Sequence, residues 1–394
     1  MAWLTEDIWP VEGRLVSHEF VKAGVLAAAL ECIRGGVTCV NDMYFFPGAT
    51  AEALDEAGLR GRVGGPVLEF PSAWASAADE YLAKTRELIT TWRSEKPDSL
   101  VEFSVSPHAP YTVSDDTFGK VAALSKELNV PVHVHLHETP GETHASSTGT
   151  AGPGKHLSAE KCRPFDNLDR LGLVNQQLIA VHMVDTSDEE IARCAKAGTS
   201  VVHCPSSNMK LASGFCPVAK LIASGVNVAL GTDGAASNNK LDMWAEMRLA
   251  ALLAKGVAND PEVVPAMTAL HMATLGGAKA AGLAHKCGSL EVGKDADFIA
   301  ISLSEPEQYP AYHVASVLAY SMDRSAVSDV WVAGSRLMAS REVLSLCVSS
   351  VELSVKEWAS KITPEEICAT PEPDVLLQDT DASDVVTEGH SSAV

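Results

Sequence analysis

The chain has 394 residues, 46% of them hydrophobic, which is enough for one large domain and a small accessory domain. Its formal net charge of −21 argues against nucleic acid or an anionic membrane surface as a partner, because both are polyanions. The nine cysteines form no Cys-x-x-Cys pair, so we expect reduced thiols and a cytoplasmic location. We see no signal segment and no apolar run of about 20 residues, and we expect no membrane span.

Strand and helix patterns alternate along the first 231 residues. Strands are predicted at 37–44, 62–69, 101–106, 131–136, 178–183, 200–204 and 226–231. Helices are predicted at 17–35, 49–58, 77–94, 114–128, 187–196 and 216–224. Helices between apolar, β-branched runs are typical of right-handed βαβ units around a parallel sheet. The chain is therefore predicted to be an α/β protein with seven barrel strands, where the common barrel closes with eight.

The rest of the chain has a different composition. Residues 141–165 are rich in Gly, Ser, Thr and Pro, and we expect a mobile loop or insertion over the face that carries the chemistry. Short strand patterns after residue 285 predict a small β domain packed on the barrel. The predicted division is a barrel at 1–284, a small β domain at 285–345, a helix at 346–367 and a disordered acidic tail at 368–394.

Histidines and one aspartate stand at or just beyond the predicted carboxyl ends of several strands. They are His108, His135, His182, His203 and Asp233. Barrel enzymes place their chemistry at that face, and one carboxylate among several imidazoles is a donor set typical of a metal ion that activates water. A structural interpretation stays open for each residue, since a histidine can be a satisfied core residue and Asp233-Gly234 can simply begin a turn.

These motifs resemble those of the amidohydrolase superfamily. The motifs are Ser106-Pro-His108, Val134-His135-Leu-His-Glu138, His203-Cys-Pro-Ser-Ser-Asn208, Gly231-Thr-Asp233-Gly and Gly288-x-Leu-x-x-Gly-Lys-x-Ala-Asp. Within the superfamily, Ile8-Trp-Pro-Val-Glu12 and Asn41-Asp-Met-Tyr44 are similar to the 5-methylthioadenosine/S-adenosylhomocysteine deaminases. The resemblance implies a TIM-like (β/α)8 barrel with a partial β-sandwich domain, and it runs through residues 1–340.

The resemblance has one departure, at the amino terminus. The first barrel strand of the family carries a His-x-His pair that supplies two metal ligands, and no such pair precedes the predicted strands here. The first strand is therefore expected to be missing. An incomplete chain and a genuine short form with a weakened metal site both explain this, and the intact remaining motifs favour incompleteness.

The resemblance also implies a role for each site residue. His135 and Asp233 would bind the metal, Asp233 would act as general base, and Glu138 would protonate the purine ring nitrogen. His182 would orient the attacking water, while His108, Glu12 and Ser237 would contact the substrate, Glu12 through the ribose hydroxyls. Glu138 and Asp233 would touch the substrate as well.

The implied activity is hydrolytic deamination of 5′-methylthioadenosine, S-adenosylhomocysteine or adenosine with one Zn²⁺ per subunit, Fe²⁺ and Mn²⁺ being the alternatives. The expected partner is a small nucleoside, and association into a homo-oligomer stays open. Two other functions also stay open: an aminohydrolase of the same superfamily acting on a free base or a triazine, and a metal-poor, inactive homologue.

Overall fold

Seven parallel strands form a curved sheet at the centre of the protein. The computed structural model describes residues 3–150 and 160–362. The strands are β1 Cys39–Met43, β2 Arg60–Val67, β3 Val101–Pro107, β4 Val132–Leu136, β5 Leu178–His182, β6 Ser200–His203 and β7 Asn227–Leu230. They lie side by side in chain order, and in the described residues β1 and β7 are not paired with each other. This arrangement confirms the predicted TIM-like barrel with seven of its strands.

Helices connect the strands and extend beyond them. They are α1 Trp9–Leu15, α2 His18–Gly35, α3 Pro47–Ala57, α4 Ala78–Glu95, α5 Asp115–Leu128, α6 Pro140–Thr148, α7 Pro164–Arg170, α8 Asp188–Ala197, α9 Pro205–Lys210, α10 Val218–Ala223, α11 Ala235–Asn238, α12 Met243–Ala258, α13 Ala266–Ala273, α14 Leu275–Ala280, α15 Val314–Tyr320 and α16 Val348–Ala359. In the described part of the chain, no helix combines the length and the hydrophobicity that crossing a bilayer would require.

Local sequence explains where the principal helices begin and end. Ser17 and Ser114 each accept a hydrogen bond from a backbone N–H in the first turn of α2 and α5. Gly36 ends α2 in the left-handed region at φ 80°, a conformation that costs glycine little. The predicted boundaries of α2 and α5 agree with the observed ones to within one residue, because the capping residues can be recognised from the sequence next to each helix.

The core lies between the sheet and the helices, and its packing is closest at β2. Every residue of β2 is buried. A Cβ on Gly65 would collide with the side chain of Thr85 on α4, so glycine is what lets that helix approach the strand. Arg62, also on β2, is buried and donates to the carbonyl oxygens of Phe103 and Ala281. These contacts fix the strand that lies next to β1.

A second sheet, antiparallel, follows the barrel. Its strands are β8 Phe298–Ile301, β9 Val327–Val332, β10 Ser335–Ala339 and β11 Glu342–Val343, in the spatial order β11-β10-β9-β8. Arg60 at the start of β2 donates to Asp297 and to Asp295, both at 2.7 Å, just before β8 begins. This confirms the predicted small β unit packed on the barrel, whereas the exact domain boundaries stay a prediction.

The predicted loop at 141–165 is wrong in part, because α6 covers residues 140–148 and α7 begins at Pro164. Thr139 caps α6 by accepting from the Glu142 N–H, and Pro140 occupies its first position. These capping signals outweigh the loop-like composition. Residues 151–159 of the predicted loop and the predicted tail at 368–394 lie outside the described residues. Within the segment predicted as a helix at 346–367, α16 covers Val348–Ala359, and residues 363–367 lie outside the described residues.

Candidate active site

Three predicted site histidines from three strands meet at one end of the sheet. The ring centroid of His135, on β4, lies 5.1 Å from that of His108, which follows β3. It lies 5.5 Å from that of His182, the last residue of β5, with the two rings stacked. Parallel strands bring their carboxyl ends to one edge, so residues far apart in sequence converge here. The structure therefore brings His108, His135 and His182 together.

A backbone carbonyl orients the ring of His135. Its Nδ1 lies 2.8 Å from the carbonyl oxygen of His108, a group that only accepts hydrogen bonds, so Nδ1 carries the proton. This leaves the lone pair of Nε2 free, which is the state of an imidazole that binds metal. Burial lowers the pKa of His135 and favours the same neutral form.

Asp233 lies just after β7, with its carboxylate held by neighbouring groups. Oδ2 accepts from Ser207 Oγ at 2.6 Å and from Ser237 Oγ at 2.7 Å, and Oδ1 accepts from the N–H of Gly234 at 2.7 Å. Burial opposes ionisation, but the imidazoles of His182 and His135 and the two hydroxyls outweigh it and lower the pKa of Asp233. The carboxylate is therefore ionised next to the histidine cluster. Its backbone has φ 60°, an uncommon conformation for a non-glycine residue and one that often marks functional sites.

His135 and Asp233 fit two positions of a metal centre. One offers a neutral imidazole nitrogen and the other an ionised carboxylate, and zinc accepts both donor types. Across residues 3–150 and 160–362, no group of three or more His, Cys, Asp or Glu side chains is arranged to hold a metal ion. The described residues thus provide part of a metal donor set.

His182 is positioned by Asn208, a residue whose role the sequence did not indicate. His182 Nδ1 lies 2.9 Å from Asn208 Oδ1, and both side chains are buried. The amide oxygen accepts the Nδ1 proton, so Nε2 of His182 is left as a hydrogen-bond acceptor. Asn208 lies on α9, after β6, and only the packing of β5 beside β6 brings it to His182.

Glu138 follows β4 by two residues and is half-buried. It lies near enough to His135 for its charge to act on the pKa of His135, in the upward direction. The carboxyl group of Glu142, one turn into α6, accepts from the backbone N–H groups of His137 and Glu138 at 3.2 and 2.8 Å. Burial raises the pKa of Glu142 to about 8. The sequence analysis did not single out Glu142, although a Thr-x-x-Glu spacing is a recognisable capping signal.

Glu12 and Ser237 are the other predicted substrate contacts. The hydroxyl of Tyr44, just beyond β1, donates to the Glu12 carboxylate, and burial raises the pKa of Glu12. This places Glu12 at the end of β1, on the edge of the sheet where the histidines lie. Ser237 bonds to Asp233, so in this structure it contacts the metal-ligand candidate directly.

The chain is similar to proteins of a known family. The model of the Amidohydrolase family matches residues 1–337. A 5-methylthioadenosine/S-adenosylhomocysteine deaminase of Teredinibacter turnerae is 45% identical over 360 residues, covering 91% of this chain and 78% of that protein. One from Saccharophagus degradans is 42% identical over 362 residues, covering 92% and 78%. The solved structure of an adenosine deaminase from Xanthomonas campestris with bound zinc superposes with a TM-score of 0.87 at 45% identity, covering 94% of this chain and 80% of that one.

Proposed function

Because the chain belongs to the amidohydrolase family and, within it, to the 5-methylthioadenosine/S-adenosylhomocysteine deaminases, we propose that it deaminates 5′-methylthioadenosine, S-adenosylhomocysteine or adenosine by hydrolysis. Water replaces the 6-amino group of the purine, giving the inosine analogue and ammonia. The observation that carries the proposal is the convergence of His135, His182 and Asp233 on one sheet edge with Glu138 beside them. We also propose a cytoplasmic location, because the eight cysteines in the described part of the chain are all free thiols.

His135 and Asp233 would hold the divalent metal ion, which lowers the pKa of bound water when present. Zinc is the proposed ion, with Fe²⁺ and Mn²⁺ as alternatives. Asp233 accepts a proton from the attacking water and later passes it to the departing amino group, which leaves as ammonia. His182, with its Nδ1 fixed by Asn208, presents Nε2 to orient that water.

Substrate recognition follows from the groups around this centre. Glu138 protonates the ring nitrogen adjacent to the attacked carbon, which lets that carbon accept the water oxygen. His108 and Ser237 contact the base, and Glu12 binds the ribose hydroxyls. Glu12 argues against a free base or a triazine as the substrate, because neither has ribose hydroxyls to bind a carboxylate at that position.

The test is ammonia release from 5′-methylthioadenosine by the purified protein supplied with excess zinc. We expect one ammonia per nucleoside consumed, and a loss of about 100- to 10,000-fold in kcat for Asp233→Asn. Glu12→Gln is expected to raise KM for the nucleoside and to leave turnover of free adenine as low as before. A folded, zinc-supplied protein that releases no ammonia from any of the three nucleosides would contradict the proposal, as would faster turnover of a free base or a triazine.

A further inference from the structure

Glu142 makes contacts beyond those that capping a helix requires. It is the third residue of α6, whose N-cap is Thr139. Glu190 occupies the same position in α8, and there the carboxylate bonds back to the backbone N–H of its own N-cap, Ser187. The Glu142 carboxyl group instead reaches past Thr139 to the two preceding residues. The usual capping box therefore does not account for where this side chain lies.

The two backbone groups that Glu142 binds form the turn between β4 and α6. Oε1 accepts from His137 N–H and Oε2 from Glu138 N–H, so each oxygen holds a different amide. His137 has φ 53°, a left-handed backbone conformation that is uncommon for residues other than glycine. Its ring is anchored separately, since Nε2 accepts from the N–H of Phe165 at 3.1 Å. His137, the residue before Glu138, is therefore held twice: Glu142 binds its backbone N–H, and Phe165 binds its ring.

We propose that Glu142 is a positioning residue that acts through Glu138. The two oxygens of Glu142 hold the turn, and the turn fixes where the Glu138 carboxyl group meets the substrate. The inference rests on the proposed function for the role of Glu138 as the acid. The contact requires two acceptor atoms. A glutamine keeps one acceptor and turns a donor toward the other amide, so it cannot replace the glutamate.

Kinetics of four variants with 5′-methylthioadenosine test this role: Glu142→Gln, Glu138→Gln, the double variant, and Thr139→Ala as the control. We expect E142Q to lower kcat by about 10- to 100-fold, the scale of a small misplacement of a reacting group, with KM changed less than about twofold. In the E138Q background the same change should have no further effect on kcat, because the group it positions is gone. T139A removes the cap of α6 but keeps the carboxyl contact, and it should keep kcat within about twofold of wild type.

Amide hydrogen exchange separates this inference from the proposed function, because it needs no turnover. In E142Q the amides of residues 137 and 138 should exchange faster than in wild type, whereas T139A should leave them protected. If wild type deaminates no nucleoside, the proposed function fails, and exchange alone then decides whether Glu142 holds the turn. If the E142Q variant does not fold, the Glu142→Asp variant takes its place in the test, because the shorter aspartate side chain cannot reach both amides. Unchanged exchange, or equal losses of kcat in the wild-type and E138Q backgrounds, would overturn the inference.

Discussion

The two candidate metal ligands take their orientation from residues that are distant in sequence. The carbonyl oxygen of His108 sets the proton position on His135, and the hydroxyl of Ser207 holds one oxygen of Asp233. Such contacts fix which lone pairs face the site before any ion or substrate arrives. The chemistry of the site therefore depends on several strand ends at once, not on any one motif.

Asp42 on β1 allows the effect of burial on the stability of the fold to be tested at a single residue. Its Oδ2 has no hydrogen-bond partner among the described residues, and burial raises its pKa to about 6. A carboxyl group whose pKa is higher in the folded than in the unfolded state stabilises the fold most at low pH. That contribution is lost as the pH rises from about 4 through 6.

We therefore predict that wild type loses about 2 kcal/mol of unfolding free energy relative to Asp42→Asn between pH 4.5 and pH 7.5, from a shift of about two pKa units. Urea denaturation of both proteins at the two pH values measures this difference. Parallel pH dependences in the two proteins would show that Asp42 titrates normally in the folded state.

The sequence predicted those site residues whose position follows from a strand end, among them His135, His182 and Asp233. It did not predict Asn208, Ser207 or Glu142, because each acts through a partner brought near by tertiary packing. Side chains at the ends of parallel strands are placed by the fold class alone. The groups that orient them depend on how neighbouring loops pack, which no local pattern records.

At the level of elements, sequence patterns predicted the seven barrel strands and the helices α2, α3, α4, α5, α8 and α10, but they missed α6. Its residues, Pro140–Thr148, are mostly Pro, Gly, Ser and Thr, a composition that favours loops. The Thr139 hydroxyl caps the helix, and the Glu142 carboxyl group ties it to the turn that follows β4. A composition-based reading fails here because a few specific hydrogen bonds outweigh the average propensity of the segment.

A buried ion pair joins β2 of the barrel to the segment that leads into β8 of the second sheet. Arg60 on β2 and Asp297 before β8 are both almost completely buried and lie 2.7 Å apart. Removing one partner of such a pair leaves an uncompensated charge inside the protein. We predict that Arg60→Met lowers the free energy of unfolding by about 3–5 kcal/mol.

The double variant Arg60→Met/Asp297→Leu is expected to recover part of that loss, because no buried charge remains without a partner. Chemical denaturation of the single and double variants measures both effects. If the double variant is less stable than Arg60→Met by as much as Asp297→Leu alone destabilises the wild type, the two residues act independently. That result would contradict this explanation of the contact.

At the scale of the whole molecule, the curved sheet brings His135 on β4 and Asp233 just after β7 to one edge, and these are the two candidate metal ligands among the described residues. Catalytic zinc sites usually have three protein ligands. We predict that the 394-residue chain, produced as printed, keeps well under one zinc per chain after dialysis. Elemental analysis tests this, and one tightly retained zinc per chain would contradict it.

The central claim is that His135 and Asp233 hold the same ion. Anomalous diffraction at the zinc edge, from crystals of the protein grown with excess zinc, tests it most directly. We predict a single strong peak within bonding distance of both His135 Nε2 and the Asp233 carboxylate. A peak bound to one of these residues alone, or zinc found only elsewhere in a well-ordered crystal, would contradict the account.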